Sequence, residues 1–200
     1  WGSIERYSGP SCNICGIPTV SNHTLTCESC IKRRPPFFRV LYYGIYEGVL
    51  KEVIHLLKFN GVKRLSKPIS NMLSDLPIPN ADGIIPVPLH RNRLKLREFN
   101  QTAVVGNHLS KKLKIPIMLD VLRKIKDTRP QTELSGVERL KNIKNAYTAS
   151  SNIKGLDLLL LDDVITTGAT IRECSKTLIK AGAKSVTVVA LARSMPKQNT

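Results

Sequence analysis

Leu158-Leu159-Leu160-Leu161-Asp162-Asp163-Val164-Ile165-Thr166-Thr167-Gly168-Ala169-Thr170 is the stretch whose reading decides the fold. Four successive leucines suit a strand covered on both faces, as in a parallel sheet, better than one with a wet side. In open α/β sheets ligands sit beyond the carboxyl ends of the strands, which is where Asp162 and Asp163 fall. Both carboxylates are therefore expected to be presented rather than buried. Thr166, Thr167, Gly168 and Thr170 follow, just ahead of the helical spacing of Ile171, Cys174, Leu178 and Ala181. The N–H groups of a helix start point into the preceding loop and the macrodipole favours negative charge there, so this hydroxyl-rich loop is expected to hold a phosphate. No Gly-x-x-x-x-Gly-Lys and no Gly-x-Gly-x-x-Gly precedes the helix, which excludes a Walker loop and a dinucleotide turn. Two acids would repel that phosphate and need another target, either vicinal hydroxyls or a divalent cation. A sugar phosphate satisfies both halves. A buried strand with an ordinary capped turn would explain the leucines and Thr170, but not two acids followed by Thr-Thr-Gly.

The flanking chain repeats the alternation of strand and helix. Gly155 to Leu161 reads as the central strand, Gly182 stops the helix after it, and Ser185 to Ala192 is a further strand. Upstream, Asp82 to Leu89 reads as the first parallel strand, with Pro86 and Pro88 near its end, where ladder donors are dispensable. The next loop carries His90, Arg91, Arg93, Lys95 and Arg97, and Asn100 can cap the helix of Ala103, Val104, Leu109 and Leu113. On spacing alone these cations either grip a pyrophosphate or form a solvated basic face. Ile115 to Lys124 resembles the next strand. Asp127 to Asn145, with Arg129, Gln131 and Arg139, is long for a connection and has the length of a lid or a disordered loop. Phe37 to Tyr46 is strand-like, and Tyr42, Tyr43 and Tyr46 serve either base stacking or sheet packing. Gly48 to Phe59 has helical spacing with His55 expected as a surface or satisfied histidine rather than a ligand, and a second helix is expected from about Leu65 to Leu73. This alternation means an α/β, doubly wound, mainly parallel sheet.

Cys12-Asn-Ile-Cys15 and Cys27-Glu-Ser-Cys30 are two Cys-x-x-Cys pairs with the spacing at which four thiolates surround one tetrahedral zinc. Such closed sites are structural. The chain thus divides into a small four-cysteine zinc finger over residues 1–35 and an α/β domain over 36–200. Cys174 falls on the apolar stripe of its helix and is expected in the core. With 31 Lys and Arg against 15 Asp and Glu, the formal net charge of the 200 residues is +16. That excess points either to a polyanionic partner such as nucleic acid or to a generally basic surface. No run approaches the roughly 18 apolar residues of a membrane helix and no signal-peptide pattern follows the amino terminus, so a cytoplasmic protein without membrane insertion is expected.

The stretch from Leu158 to Thr170 resembles, position by position, the phosphoribosyl pyrophosphate (PRPP) motif of type I phosphoribosyltransferases. The order of pieces is similar to the ComF family of bacterial competence proteins, which join an amino-terminal zinc finger to a phosphoribosyltransferase-like domain. The likeness runs through the cysteine quartet, Leu56-Leu57-Lys58-Phe59-Asn60-Gly61, Pro86-Val87-Pro88-Leu89-His90, Phe99-Asn100-Gln101, and Gln131 through Leu134 to Arg139 and Asn142. It departs at Glu98, where the family pattern calls for glycine. The resemblance implies that Asp162 and Asp163 meet the ribose 2- and 3-hydroxyls while Ile165, Thr166, Thr167, Gly168, Ala169 and Thr170 wrap the 5-phosphate. It further implies a pyrophosphate loop of Pro88, Leu89, His90, Arg93 and Arg97, with Arg129 or Arg139 reaching in when the long loop closes. Asp162, Asp163, Arg97 and Arg129 would then carry catalysis on magnesium-bound PRPP. The implied role is phosphoribosyl transfer to an unidentified acceptor in natural transformation, or PRPP binding without catalysis by a factor that handles single-stranded DNA beside other proteins of the competence machinery.

Overall fold

The structure, a computed structural model, describes residues 4–19, 25–128 and 143–195. In chain order the elements are α1 (Glu28–Lys32), β1 (Arg39–Ile45), α2 (Gly48–Phe59), a 3₁₀ turn (Lys63–Leu65), α3 (Ser66–Ser74), β2 (Gly83–Pro86), α4 (Arg91–Arg97) and α5 (Gln101–Leu113). There follow β3 (Leu122–Lys124), β4 (Tyr147–Ala149), β5 (Asp157–Ile165), α6 (Ala169–Lys180) and β6 (Ser185–Arg193). Four strands form one sheet in the order β1-β6-β5-β2, and all three pairings are parallel. The four leucines lie on β5, an interior strand of this sheet, each no more than 1% exposed. Their alternation feeds two cores. Leu158 and Leu160 pack with Ile171, Cys174 and Leu178 of α6, whereas Leu159 and Leu161 pack with α2, α3 and α5 through Ile54, Ile69 and Leu109. Helices on both faces make the fold doubly wound, and each buried leucine contributes about 1.5–3 kcal/mol.

Several expected boundaries shift. β1 pairs in parallel with β6, so Arg39–Ile45, not the segment after Asp82, is the first parallel strand, and β2 is confined to Gly83–Pro86. The expected strand over Ile115 to Lys124 does not join the sheet as a strand. Ile117 makes one isolated bridge to Ile84, and Leu122–Lys124 pairs antiparallel with Tyr147–Ala149 in a separate two-stranded ribbon. The apolar residues of that stretch are split by Pro116, which lacks a ladder donor. β5 runs on to Ile165, in register with Arg193 of β6, so Asp162 and Asp163 lie on the strand itself rather than after it. Cys174 is fully buried, as its stripe position requires.

The cysteine unit packs against the sheet edge. β1 is the outermost strand, and its backbone is joined to the amino-terminal segment by Val40 N–H donating to the Ile14 carbonyl at 2.8 Å and Tyr7 N–H donating to Tyr43 at 2.8 Å. Tyr7 stacks on Tyr42 with ring centroids 5.6 Å apart. Gly16, at φ +64°, lies so close to Tyr42 that an added Cβ would stand 3.0 Å from its ring. The segment covers an edge that would otherwise offer unpaired backbone groups. Among the described residues no helix is long and apolar enough to cross a membrane.

Candidate functional site

Because the sheet strands run parallel, their carboxyl ends share one rim. The helices that follow neighbouring strands β2 and β5 depart to opposite faces, α5 to one core and α6 to the other. A crevice must open between those two strand ends, the topological switch point of an open α/β sheet. A cleft of about 500 Å³ occupies that place, lined by the loop from Val87 to Leu89, by Asp162, Asp163, Thr166 and Thr170, by Arg93, Leu96 and Arg97 of α4, and by Gln101 and Thr102 of α5. Tyr46, His55, Lys58 and Phe59 close one side, and Lys124 and Tyr147 another.

Local bonds hold these walls. Asn100 caps α5 by accepting from Thr102 N–H at 3.1 Å, and its amide donates to the Val87 carbonyl at 3.1 Å. Thr102 Oγ1 donates to the same carbonyl at 3.0 Å. The end of β2 is thereby fixed to the helix start. Glu98, between α4 and α5, takes φ +64°, the left-handed conformation that glycine adopts without cost and that a side chain strains. Gly168, at φ +78°, ends the loop after β5 and Ala169 N–H donates to Thr167 Oγ1 at 3.4 Å. Arg193, itself 4% exposed, donates to the Thr166 carbonyl at 3.3 Å and buttresses the loop from β6.

The two acids are not equivalent. Asp163 Oδ2 is 2.9 Å from Lys58 Nζ and accepts from Gln101 Nε2 at 2.7 Å. Burial opposes its ionisation, but the Lys58 charge and the Gln101 hydrogen bond outweigh it and hold the carboxyl below its usual range. Burial and the neighbouring Asp163 charge push Asp162 up to about 7, outweighing the Lys58 charge and the Asp163 N–H that lower it. The pair thus favours one retained proton and one negative charge, the splitting expected when like charges share a poorly solvated site. Contrary to the expectation of free presentation, the Asp163 side chain is only 12% exposed. Across the cleft, burial and the nearby Arg93 charge lower the Lys124 ammonium to about 8. Lys124 donates to Thr128 Oγ1 at 2.7 Å, and Arg93 donates to the Thr128 carbonyl at 3.2 Å. Arg97 donates to Gln101 Oε1 at 3.4 Å. A relay of Arg97, Gln101 and Asp163 therefore links the cationic helix to the acid pair.

The four cysteines form a second site. Their sulfurs all lie within 4.8 Å of one another, and Cys15 and Cys27 Sγ are 3.7 Å apart. Four sulfurs at Zn–S bonds of ~2.3 Å in a tetrahedron would be ~3.8 Å apart. Cys27 N–H donates to Cys12 Sγ at 3.4 Å. Burial resists ionisation of Cys12, but backbone donors from Cys27, Cys15 and Ile14 prevail and lower its pKa, whereas burial raises those of Cys15 and Cys30. None of the cysteines is in a disulfide. This donor set fits a cation, because thiolates so close repel unless one stands between them, and the cluster can hold a metal ion such as zinc.

Residues 101–199 match the family of the phosphoribosyl transferase domain. Competence protein F of Haemophilus influenzae is 32% identical over 200 residues, an alignment covering 94% of this chain and 86% of that protein. The chain belongs to the ComF family. The DNA utilization protein YhgH of Escherichia coli, another relative of this ComF chain, is 31% identical over 194 residues, covering 92% of this chain and 84% of that one. Adenine phosphoribosyltransferase of Leishmania donovani superimposes at a TM-score of 0.45 with 12% identity, covering 80% of this chain and 89% of that one.

The ComF fold gathers Pro88, Leu89, Arg93, Arg97, Asp162, Asp163, Thr166 and Thr170 around one cleft. Ile165 and Ala169 are buried beneath it, and Thr167 and Gly168 form the turn between. His90 is not among the lining residues. It caps α4, accepting from Asn92 N–H at 3.4 Å, and its Nδ1 stands 3.3 Å from an Asp127 oxygen. Arg129, with Gln131, Leu134, Arg139 and Asn142, lies outside the described residues. Sequence reasoning missed Lys58, Gln101, Lys124 and Tyr147 as lining residues. Lys58 and Gln101 sit inside two of the fragments that carried the ComF likeness, a signal that was available. Lys124 had none, being one of many lysines.

Proposed function

We propose that this chain binds magnesium PRPP in the cleft and transfers the phosphoribosyl group to an acceptor nitrogen, with release of pyrophosphate, as part of DNA uptake in natural transformation. One observation carries the reading: the acid pair of β5 and the hydroxyl-rich turn before α6 line the same 500 Å³ cleft as Arg93, Arg97 and Lys124. Acceptors for a diol, donors for an ester phosphate and cations for a leaving group thus stand together. Asp163 as an anion and Asp162 with its proton offer one acceptor and one donor to the vicinal hydroxyls. The Thr166 to Thr170 turn takes the 5-phosphate. Breaking the anomeric C–O bond sends its electron pair out with pyrophosphate, which Arg93, Arg97 and Lys124 stabilise, while the acceptor nitrogen forms the new bond and passes its proton to solvent. The divalent ion supplies further charge neutralisation when bound. The rest is positioning, worth more here than covalent help.

The four cysteines hold structural zinc in this reading, consistent with free thiols in a reducing cytoplasm. The net charge of +16 supports single-stranded DNA as partner, and relatives named for competence and DNA utilization support a place beside other competence proteins. The second reading is PRPP binding without turnover, which uses the same acid pair, hydroxyl-rich turn and cations but needs no acceptor. Calorimetry with PRPP and Mg²⁺, followed by isotope exchange between pyrophosphate and PRPP across a panel of bases, separates the two. Binding with exchange supports transfer; binding without exchange selects the second reading. No binding to the wild-type chain, or undiminished binding to Asp162→Asn/Asp163→Asn, refutes both.

A further inference from the structure

β6 is buried along nearly its whole length, yet it ends on a charge. Arg193 is 4% exposed, its Nε is buried without a hydrogen-bond partner, and among the described residues no carboxylate stands within ion-pair distance of it. A guanidinium so placed is costly unless an anion lies near. Burial pushes Arg193 below its ordinary range; Cys15, Tyr42 and Cys27 oppose that push, and the Arg172 charge adds to it. Burial raises the Tyr42 hydroxyl to about 12, so near pH 7 it is neutral and the cysteine sulfurs are the anions left. The packing agrees. Arg193 stands in register with Ile45 of β1 and Ile165 of β5, Gly16 beside Cys15 lies against the Tyr42 ring of β1, and Cys12, Cys15 and Cys30 share one core with Tyr42, Ile165 and Ala169. Arg193 Nη1, for its part, donates to the Thr166 carbonyl at 3.3 Å. One buried cation thus stands between the cysteine unit and the turn before α6.

We propose that Arg193 is a positioning residue that ties the hydroxyl-rich turn to the metal-loaded cysteine unit, as counter-charge to the thiolates on one side and donor to the Thr166 carbonyl on the other. For the anion that the turn serves, the inference rests on the PRPP reading; the tether itself does not. Thiols bind a metal ion only once deprotonated, and four thiolates around a divalent ion keep a net negative charge. A filled site therefore supplies the anion that the buried guanidinium needs. The guanidinium in turn holds the Thr166 carbonyl. A trans peptide unit is planar with its C=O and N–H opposed, so fixing that carbonyl aims the Thr167 N–H away from Arg193. Arg193 thereby sets a backbone donor of the turn whose Thr166 and Thr170 line the cleft. Donors already in place need no reorganisation when an anion arrives. Emptying the metal site leaves the guanidinium without its partner and loosens the turn.

The test uses the full chain as wild type, as Arg193→Gln, which removes the charge, and as Arg193→Lys, which keeps it. In competition with a chromophoric chelator, Arg193→Gln should bind zinc roughly 10- to 100-fold more weakly, the factor for losing an outer partner of a metal site, and Arg193→Lys should stay close to wild type. The amide resonances of Thr167 and Gly168 report the turn. Removing zinc should shift them in the wild type and leave them nearly in place in Arg193→Gln, where the tether is already cut. Ribose 5-phosphate should bind the zinc-loaded wild type roughly 5- to 150-fold more tightly than the zinc-free form, and should strengthen zinc binding by the same factor, because coupling between sites is reciprocal. Arg193→Gln should lose that coupling. Wild-type zinc affinity in Arg193→Gln, or Thr167 and Gly168 resonances indifferent to zinc in the wild type, overturns the tether. Should Arg193→Gln fail to fold, the wild-type resonances and the zinc affinity of Arg193→Lys decide in the same way. Resonances that follow zinc while ribose 5-phosphate binds neither form uphold the tether and refute the PRPP reading alone.

Discussion

Removing Lys58 should cost more than removing the carboxylate it serves, and the difference follows from burial. Lys58 Nζ and Asp163 Oδ2 are 2.9 Å apart, with 24% and 12% of the respective side chains exposed. In Lys58→Met the Asp163 anion keeps the Gln101 hydrogen bond but faces Asp162 without a cation. Truncating one partner of a fully buried pair costs ~3–5 kcal/mol, and water reaching the partly open side reduces that to ~2 kcal/mol. In Asp163→Asn, by contrast, the long Lys58 stem can carry its charge outward, and repulsion on Asp162 disappears. That loss should stay below ~1 kcal/mol. The double variant should resemble Asp163→Asn, leaving a coupling of ~2 kcal/mol, the whole cost of Lys58→Met. For a chain of this size ~2 kcal/mol lowers Tm by about 4–8 °C.

The pH dependence gives a second reading of the same pair. Asp163 has a folded pKa below its unfolded value, so the stability it contributes is present at neutral pH and lost as pH falls through the folded value. Lys58→Met raises that carboxyl, so its deficit relative to wild type should shrink on acidification, once both proteins carry Asp163 neutral. Urea unfolding of the four members of the cycle at neutral and acid pH measures both effects. Equal costs for the single variants with strict additivity, or a deficit that grows in acid, would refute this account of the pair.

Glu98→Gly should raise Tm by about 2–4 °C, since it relieves a left-handed residue of ~1 kcal/mol strain, and unchanged or lower thermal stability would show that the Glu98 side chain offsets it. Lys124 titrates near 8 in the free protein, and an anion binds its charged form. Pyrophosphate affinity should therefore fall as pH rises through that value in wild type, while Lys124→Arg binds without that fall; parallel pH profiles for the two proteins would exclude Lys124 from the anion site. Chelation of metal should uncover the β1 edge, raising hydrogen exchange at Val40 and its neighbours while β5 and α6 stay protected. Uniform loss of protection across the chain would show that the cysteine unit and sheet unfold together.

What was legible in the sequence was what depends on period and on local chemistry. The leucine run, the helix from Gly48 to Phe59 and the Asn100 cap follow from spacing that the neighbouring residues alone determine. The two strands that failed are governed by partners. Leu122–Lys124 is three residues long and pairs with Tyr147–Ala149 across a gap of more than twenty positions, so no local pattern marks it. The end of β5 was misplaced for a related reason. Acidic residues signal the end of a strand only if they meet water, and here Gln101 and Lys58 satisfy Asp163 inside the register.

That last case shows why an acid pair can be read from sequence while its electrostatics cannot. Adjacent carboxylates on a strand project to opposite faces, and whether each finds a cation depends on which helix passes there. The turn of α2 that supplies Lys58 to Asp163 also supplies His55 and Phe59 to the cleft mouth. Lys58 and Phe59 are consecutive, about 100° apart around the helix axis, and both line the cleft. A ligand that draws Asp163 away from Lys58 therefore acts on the same short segment of α2 that carries His55 and Phe59.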